Sequence, residues 1–457
     1  MTLNNDQQSI AQVFKGTFIH TPQFGQIEIL TNTVIGLDHQ GTIIFLQRGD
    51  LNIDHLQLPT TVKVIDLSAD PLKFFFPGFI DTHIHASQYP NNGIFGNSTL
   101  LDWLETYTFP LESSLTNPKK AELVYSRCIK KLLSNGTTCA SYYATIDAGS
   151  SNLLADLCLR LGQRAFIGKV CMDQNAPDYH VETLQQSQFA TMEVLEHIKS
   201  LDSDLIKPVL TPRFAPACSG ELMTWLGEVQ KSEDVHLQTH LSENDKEIKW
   251  VKELFPDSET YTHVYHDHGL LNRKTILAHA IHLSDSEIQL IKDQQSGISH
   301  CPISNSSLTS GECRVKQLHA KGIDISLGTD CSGGFSPSIL ASARQALLVS
   351  RHLSMKSGDE ADKLTVNEAL YLGTVGGAKV LKMDDQLGLF KEGYRFDCQL
   401  IDLDVDNIDV FDWQFPSEVP ISENVTKYDN LIAKWLFNGD DRNTIKVWVN
   451  GREVHSS

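Results

Sequence analysis

The stretch Asp81-Thr82-His83-Ile84-His85 closes a short β-branched run. In a strand, residues i and i+2 point to the same side, so His83 and His85 face one space. Three later runs of the same texture end at His240, His279 and Asp330. Imidazole nitrogen and carboxylate oxygen suit zinc, or iron(II), at about 2.0–2.2 Å. Any one of the 18 histidines is ordinarily a satisfied core residue. Five suitable ligands at four strand ends form a set that coincidence does not readily supply. Three residues beyond His240 stands Glu243, where a carboxylate can reach an activated water without entering the coordination sphere, as a proton shuttle must. The same glutamate also reads as the acidic opening of a helix capped by Ser242, and the two roles are compatible.

Strand ends converge only if the strands share a sheet. The middle of the 457-residue chain alternates eight β-branched runs (GFIDTHIH, TTCASYY, RAFIGKVCM, IKPVLTPRF, VHLQTHLS, TILAHA, GISHCP, DISLGTD) with helix-period segments such as SRCIKKLLSNG and FATMEVLEHIKSL. Eight such units over about 300 residues predict an α/β fold, a (β/α)₈ barrel, whose chemistry sits at the C-terminal ends of its strands. Alternation alone also allows a doubly wound sheet, but no Gly-x-Gly-x-x-Gly follows the first run. The barrel is expected over residues 78–388. Residues 1–77 and 389–457 alternate apolar with polar residues, as strands do, and are expected to pair into one small β domain.

Composition narrows the partners. Fifty-seven acidic against 38 basic residues give a net charge of −19. That field disfavours nucleic acid and acidic membrane surfaces. Nine dispersed cysteines, none in C-x-x-C spacing, read as buried small hydrophobes of a reducing compartment. MTLNNDQQSIAQ has neither the basic nor the apolar region of a signal peptide, and the longest apolar stretch, near FFFPGFI, is too short to span a bilayer. A soluble cytoplasmic protein is expected. A Gly-x-Ser-x-Gly elbow and a Pro-Cys-x-x-Cys zinc signature are both missing. THVYHDHG, with His263, His266 and His268, reads as a solvated segment rather than a second metal site. His300 is read as near the site without coordinating, and Lys169 as a residue beside the barrel rim.

PGFIDTHIHASQY, His240 through Glu243, His279, HCPISN and LGTD resemble the amidohydrolase superfamily. The HASQY continuation, WLETYTFPLE, GQRAFIGKVCMD, TPRF and GDDRN are similar to the branch of that superfamily that deaminates guanine. The resemblance covers nearly the whole chain. It implies a distorted (β/α)₈ TIM-like barrel, a β-sandwich from both chain ends, one zinc ion per subunit and a homodimer. Metal ligands are then His83, His85, His240, His279 and Asp330, with His279 coordinating or orienting, and Glu243 and Asp330 are catalytic. Substrate contacts are implied at His85, Ala86, Ser87, Gln88, Arg213, Phe214, His240, Glu243 and Asp330. Binuclear members carry a carboxylated lysine at the fourth strand end, where this chain has Arg213, so a single metal is expected. A guanidinium fork there matches the O6/N7 edge of guanine. Rival expectations are an aminohydrolase acting on another heterocycle or nucleoside, and a non-catalytic scaffold of the same fold.

Overall fold

In the computed structural model, residues 10–49, 58–414 and 421–457 are described; most of the polar N-terminal stretch lies outside them. All eight expected runs are parallel strands: Phe79–His85, Thr137–Tyr143, Arg164–Gly168, Ile206–Pro212, His236–Leu241, Thr275–His279, Gly297–His300 and Ile325–Leu327. Neighbours in the sheet are neighbours in sequence, and a two-residue strand, Val170–Cys171, prolongs the third along the fourth. Every residue of the first strand is buried, as befits a strand covered on both faces. The seam between the eighth and first strands is drawn together near the mouth. Asp81 accepts bonds from the amide of Thr329 (3.1 Å) and its hydroxyl (2.5 Å), and the Asp330 amide donates to the His83 carbonyl (2.9 Å). These bonds set the first and last ligand-bearing strand ends side by side.

The helices carry ordinary stop and start signals. Pro118–Ser134 is capped by Asn117, whose side chain accepts from the amides of Lys119 and Lys120. It ends before Gly136 at φ +77°, where a Cβ would lie 2.0 Å from the Gln399 side chain, so glycine is required on both counts. THVYHDHG is not the solvated segment expected. Tyr261–Asp267 is a helix with Thr262, Val264 and Tyr265 buried against the barrel. Its apolar residues Tyr261, Val264 and Tyr265 recur at helical spacing, which three intervening histidines obscured.

The chain ends hydrogen-bond into a single eight-stranded sheet. Lys73–Pro77 pairs antiparallel with Cys398–Asp402 and so joins the N-terminal strands to the C-terminal ones. The sheet forks along Gln12–His20, which pairs with Lys63–Asp66 near its start and meets Lys73–Pro77 at Phe18. Strand alternation in Lys73–Pro77 sends three phenylalanines two ways. Phe75 stacks on Phe18 (4.6 Å) and meets Phe14 edge-on within the end sheet. Phe74 and Phe76 point oppositely, onto Trp435 at 5.6 and 5.1 Å. Trp435 belongs to Ile421–Asn438, an 18-residue helix within the strand-rich C-terminal block, and it also stacks on Phe79 at the start of the first barrel strand. No helix among the described residues is long and apolar enough to cross a membrane.

A buried ion pair adds a polar link between barrel and end sheet. Arg164, opening the third barrel strand, donates from Nε to Asp397 Oδ2 (3.0 Å) and from its terminal nitrogen to Asn450 Oδ1 (2.6 Å). Both charged side chains are nearly inaccessible. Arg164→Ala would strand the carboxylate and is expected to cost about 3–5 kcal/mol. Denaturant unfolding checks this, and a loss below about 1 kcal/mol would mean that water reaches Asp397.

Candidate active site

His83 and His85 project together from the end of the first strand into the barrel mouth, as the i, i+2 spacing requires. Around them stand His240 on the fifth strand, His279 on the sixth, and Asp330 just after the eighth. One ligand atom each from His83, His85, His240 and Asp330 lies within 4.8 Å of all the others, so the group could hold a metal ion. His85 Nε2 is 3.2 Å from His240 Nε2. Asp330 Oδ1 is 3.2 Å from His83 Nε2 and 3.4 Å from His85 Nε2. Ligands bonded at about 2.1 Å around a tetrahedral ion stand roughly 3.4 Å apart, which these separations approach. His279 Nε2 lies beside the group, 3.8 Å from Asp330 Oδ2 and 3.4 Å from Glu243 Oε2.

The outer edges of the rings show why they point inward. His83 Nδ1 donates to Gln238 Oε1 (2.9 Å), His240 Nδ1 to the Arg213 carbonyl (2.5 Å) and His279 Nδ1 to Asn305 Oδ1 (2.8 Å). A proton fixed on Nδ1 leaves a lone pair on Nε2, the tautomer that binds metals. His85 is held by stacking on Tyr143 at 4.6 Å. Burial and the neighbouring His83 lower the His85 pKa to about 3, and burial with His83, His85 and His279 holds that of His240 well below the ordinary imidazole value. His83 Nε2 and His279 Nε2 are buried without a hydrogen-bond partner. Such atoms are costly unless something absent from the protein satisfies them, and a cation does so.

Burial alone would raise the Asp330 pKa, but the imidazoles of His83, then His279 and His85, hold it well below the usual carboxylate range. Glu243 goes the other way. Burial, and then the charge of Asp330, push it up to about 8, so that it keeps its proton at neutral pH. Two carboxyls in one mouth are thus driven apart, one toward the ionised and one toward the protonated form. Glu243 precedes its helix rather than opening it. The cap of Asp245–Leu254 is Asn244, not Ser242, and the capping-box partner Glu247 accepts from the Glu243 amide (2.9 Å). Ser310 Oγ donates to Glu243 Oε1 (3.0 Å).

Backbone strain gathers here. His279, Asp330 and Ser242 have φ of +68°, +45° and +47°, left-handed values that cost about 1–3 kcal/mol each without glycine. Gly328 permits the eighth strand to press inward: a Cβ there would lie 2.7 Å from Ser299 Oγ and 2.9 Å from His83 Cβ.

Above the cluster a pocket of about 400 Å³ is lined by His85, Gln88, Arg213, Phe214, Glu243 and Asp330, with apolar walls from Leu100, Trp103, Leu104 and Leu308. Ala86 and Ser87 are buried in the same short turn as Gln88 but do not line this pocket. Arg213 lines the pocket and is also held by the protein. It forms a buried bidentate pair with Glu112, at 2.7 and 3.3 Å, which sequence reading did not single out. Lys169 is buried and paired with Glu182, away from the metal-ligand group. His300 is buried, and neither ring nitrogen has a partner. All nine cysteines are free and buried.

A barrel whose strand ends gather histidines and an aspartate beneath a pocket, with a buried carboxyl beside them, defines a hydrolase of the metal-binding kind. The sequence model of the amidohydrolase family matches residues 74–454, and the chain belongs to that family. It is 45% identical over 452 residues to a probable guanine deaminase of Schizosaccharomyces pombe, covering 97% of this chain and 83% of the relative. It is 43% identical to the guanine deaminase of Dictyostelium discoideum over 97% of this chain and 98% of the other. The crystal structure of guanine deaminase from C. acetobutylicum with bound guanine superposes with a TM-score of 0.87 at 35% identity, covering 97% of this chain and all of that one.

The Nδ1 partners make a prediction separate from the ligands. Gln238→Ala leaves every inward nitrogen in place but frees the His83 ring, and should weaken divalent-metal affinity by about 10–100-fold. Competition with a chromophoric chelator measures this, and unchanged affinity would mean that Gln238 does not orient the ring.

Proposed function

We propose that the protein is a zinc-dependent guanine deaminase, hydrolysing guanine to xanthine and ammonia. The observation that carries this reading is the juxtaposition, in one pocket, of the histidine–aspartate cluster and the buried Glu243 with the polar pair Arg213 and Gln88. A planar, neutral heterocycle would lie between the apolar walls with one edge toward each group. His83, His85, His240 and Asp330 would hold the zinc, with His279 coordinating or orienting beside them. When bound, zinc supplies Lewis acidity that brings the pKa of a water molecule to about 7.

Arg213 and Gln88 bind the carbonyl edge of the base, with Phe214 and Trp103 as walls. That orientation turns C2 and its amino group toward Asp330 and Glu243. Asp330 accepts a proton from the attacking water as oxygen adds to C2. Glu243 gives its proton to ring atom N3, which removes negative charge from the tetrahedral carbon. Asp330 then returns its proton to the amino group, and the C2–N bond breaks to release ammonia. The remaining hydroxyl proton restores Glu243, leaving C2 as a carbonyl and N3 protonated. The reading extends to a cytoplasmic setting, supported by nine free buried cysteines, and to a homodimer, supported by the family resemblance.

Ammonia release from guanine by the metal-assayed protein tests the reading. Glu243→Gln should keep its metal and lose about 10²–10⁴-fold in rate, the usual contribution of a positioned acid. Near-normal turnover would remove Glu243 from the mechanism.

A further inference from the structure

We infer that Glu112 is a positioning and selectivity residue: by pairing with Arg213 it fixes the guanidinium and cancels its charge, so that the pocket takes a neutral purine and rejects an anionic one. The inference rests on the reading of the pocket as a purine site.

Glu112 lies on the short helix Phe109–Ser113 and is completely buried. It does not line the pocket, but two of its three partners do. Its Oε2 accepts from Arg213 (2.7 Å) and His180 Nε2 (3.0 Å), and its Oε1 from Arg213 (3.3 Å) and Gln88 Nε2 (2.9 Å). Four donors on one carboxylate leave it little freedom to move. The Arg213 guanidinium also rests over the Phe109 ring at 5.0 Å, so a single helix grips it at its end and on one face. Two of its five N–H groups are committed to Glu112, and the others remain for a ligand.

The electrostatic consequence is sharper than the geometric one. A buried, unpaired guanidinium is a strong receptor for carboxylate or phosphate. With Glu112 in contact, the pair carries no net charge, and Arg213 offers the pocket hydrogen bonds without a monopole. Burial works against ionising Glu112, but the Arg213 charge first and the hydrogen bond from His180 next outweigh it, and the group stays a carboxylate. The protein thereby keeps a directional donor set while withholding the attraction that an oxidised, anionic purine would exploit.

The test measures guanine turnover and its inhibition by urate, a purine that is anionic at neutral pH, in wild type and variants with metal content assayed in each. Glu112→Gln should raise KM for guanine by roughly 10–100-fold, as expected when a charge-assisted contact is misplaced. It should change kcat less, leave metal content unaltered, and bind urate about tenfold more tightly relative to guanine. Glu112→Asp should recover part of the KM loss. Unchanged KM and unchanged urate inhibition in folded, metal-replete Glu112→Gln would overturn the inference. If that variant does not fold, Arg213→Met is compared with Arg213→Met/Glu112→Gln, in which no buried charge is stranded. KM values equal within about twofold support action through Arg213, and a further loss in the double variant overturns it. Wild type that releases no ammonia from guanine removes the underlying reading and this inference with it, whereas active wild type with an indifferent Glu112 removes the inference alone.

Discussion

Lone pairs of several buried imidazoles and one ionised carboxylate are aimed at the same small volume. Gln238, the Arg213 carbonyl and Asn305 take the outer ring protons of His83, His240 and His279, so the inner nitrogens can only accept. Acceptors turned toward one another away from water are unfavourable unless a cation lies between them. The rest of the structure is arranged around that requirement. Asp81 ties the first and eighth strand ends together, Gly328 lets them approach, and strained φ values at His279 and Asp330 re-aim side chains that a regular strand end would misdirect. The end sheet, fastened through Trp435 and Arg164, stabilises this frame without contributing to the pocket.

The second polar centre follows a different logic. At the metal-ligand cluster, imidazole lone pairs and one carboxylate are gathered and left for an ion to compensate. At Arg213, charge is cancelled within the protein by Glu112. In the proposed reading, one end of the pocket supports reaction chemistry while the other recognises shape and hydrogen-bonding pattern. Glu243 lies between these regimes. Its high pKa depends on burial and on Asp330 being ionised, which links its protonation to the charge of Asp330.

Much of this could be read from residue order. All eight barrel strands were visible as β-branched runs because strands buried on both faces are nearly continuous in apolar and small residues, and His83, His85, His240, His279 and Asp330 were found because strand ends share a rim. Glu112 was not, although it lies in the quoted segment WLETYTFPLE. It is a lone carboxylate on a short helix, and only the fold brings it to Arg213, 101 positions away. Glu247, which also lines the pocket, was hidden by its own local role, since a capping-box glutamate needs no further explanation. The helix Tyr261–Asp267 was obscured by histidines on its outward face, and the one bearing Trp435 by the strands that flank it.

The central claim is that these side chains converge on a single cation. Anomalous diffraction from crystals of the protein as purified, collected on both sides of the zinc edge, tests it most directly. The account predicts one zinc peak at about 2.0–2.2 Å from nitrogens of His83, His85 and His240 and an oxygen of Asp330. A mouth with no anomalous density, or zinc found only elsewhere on the molecule, would contradict it.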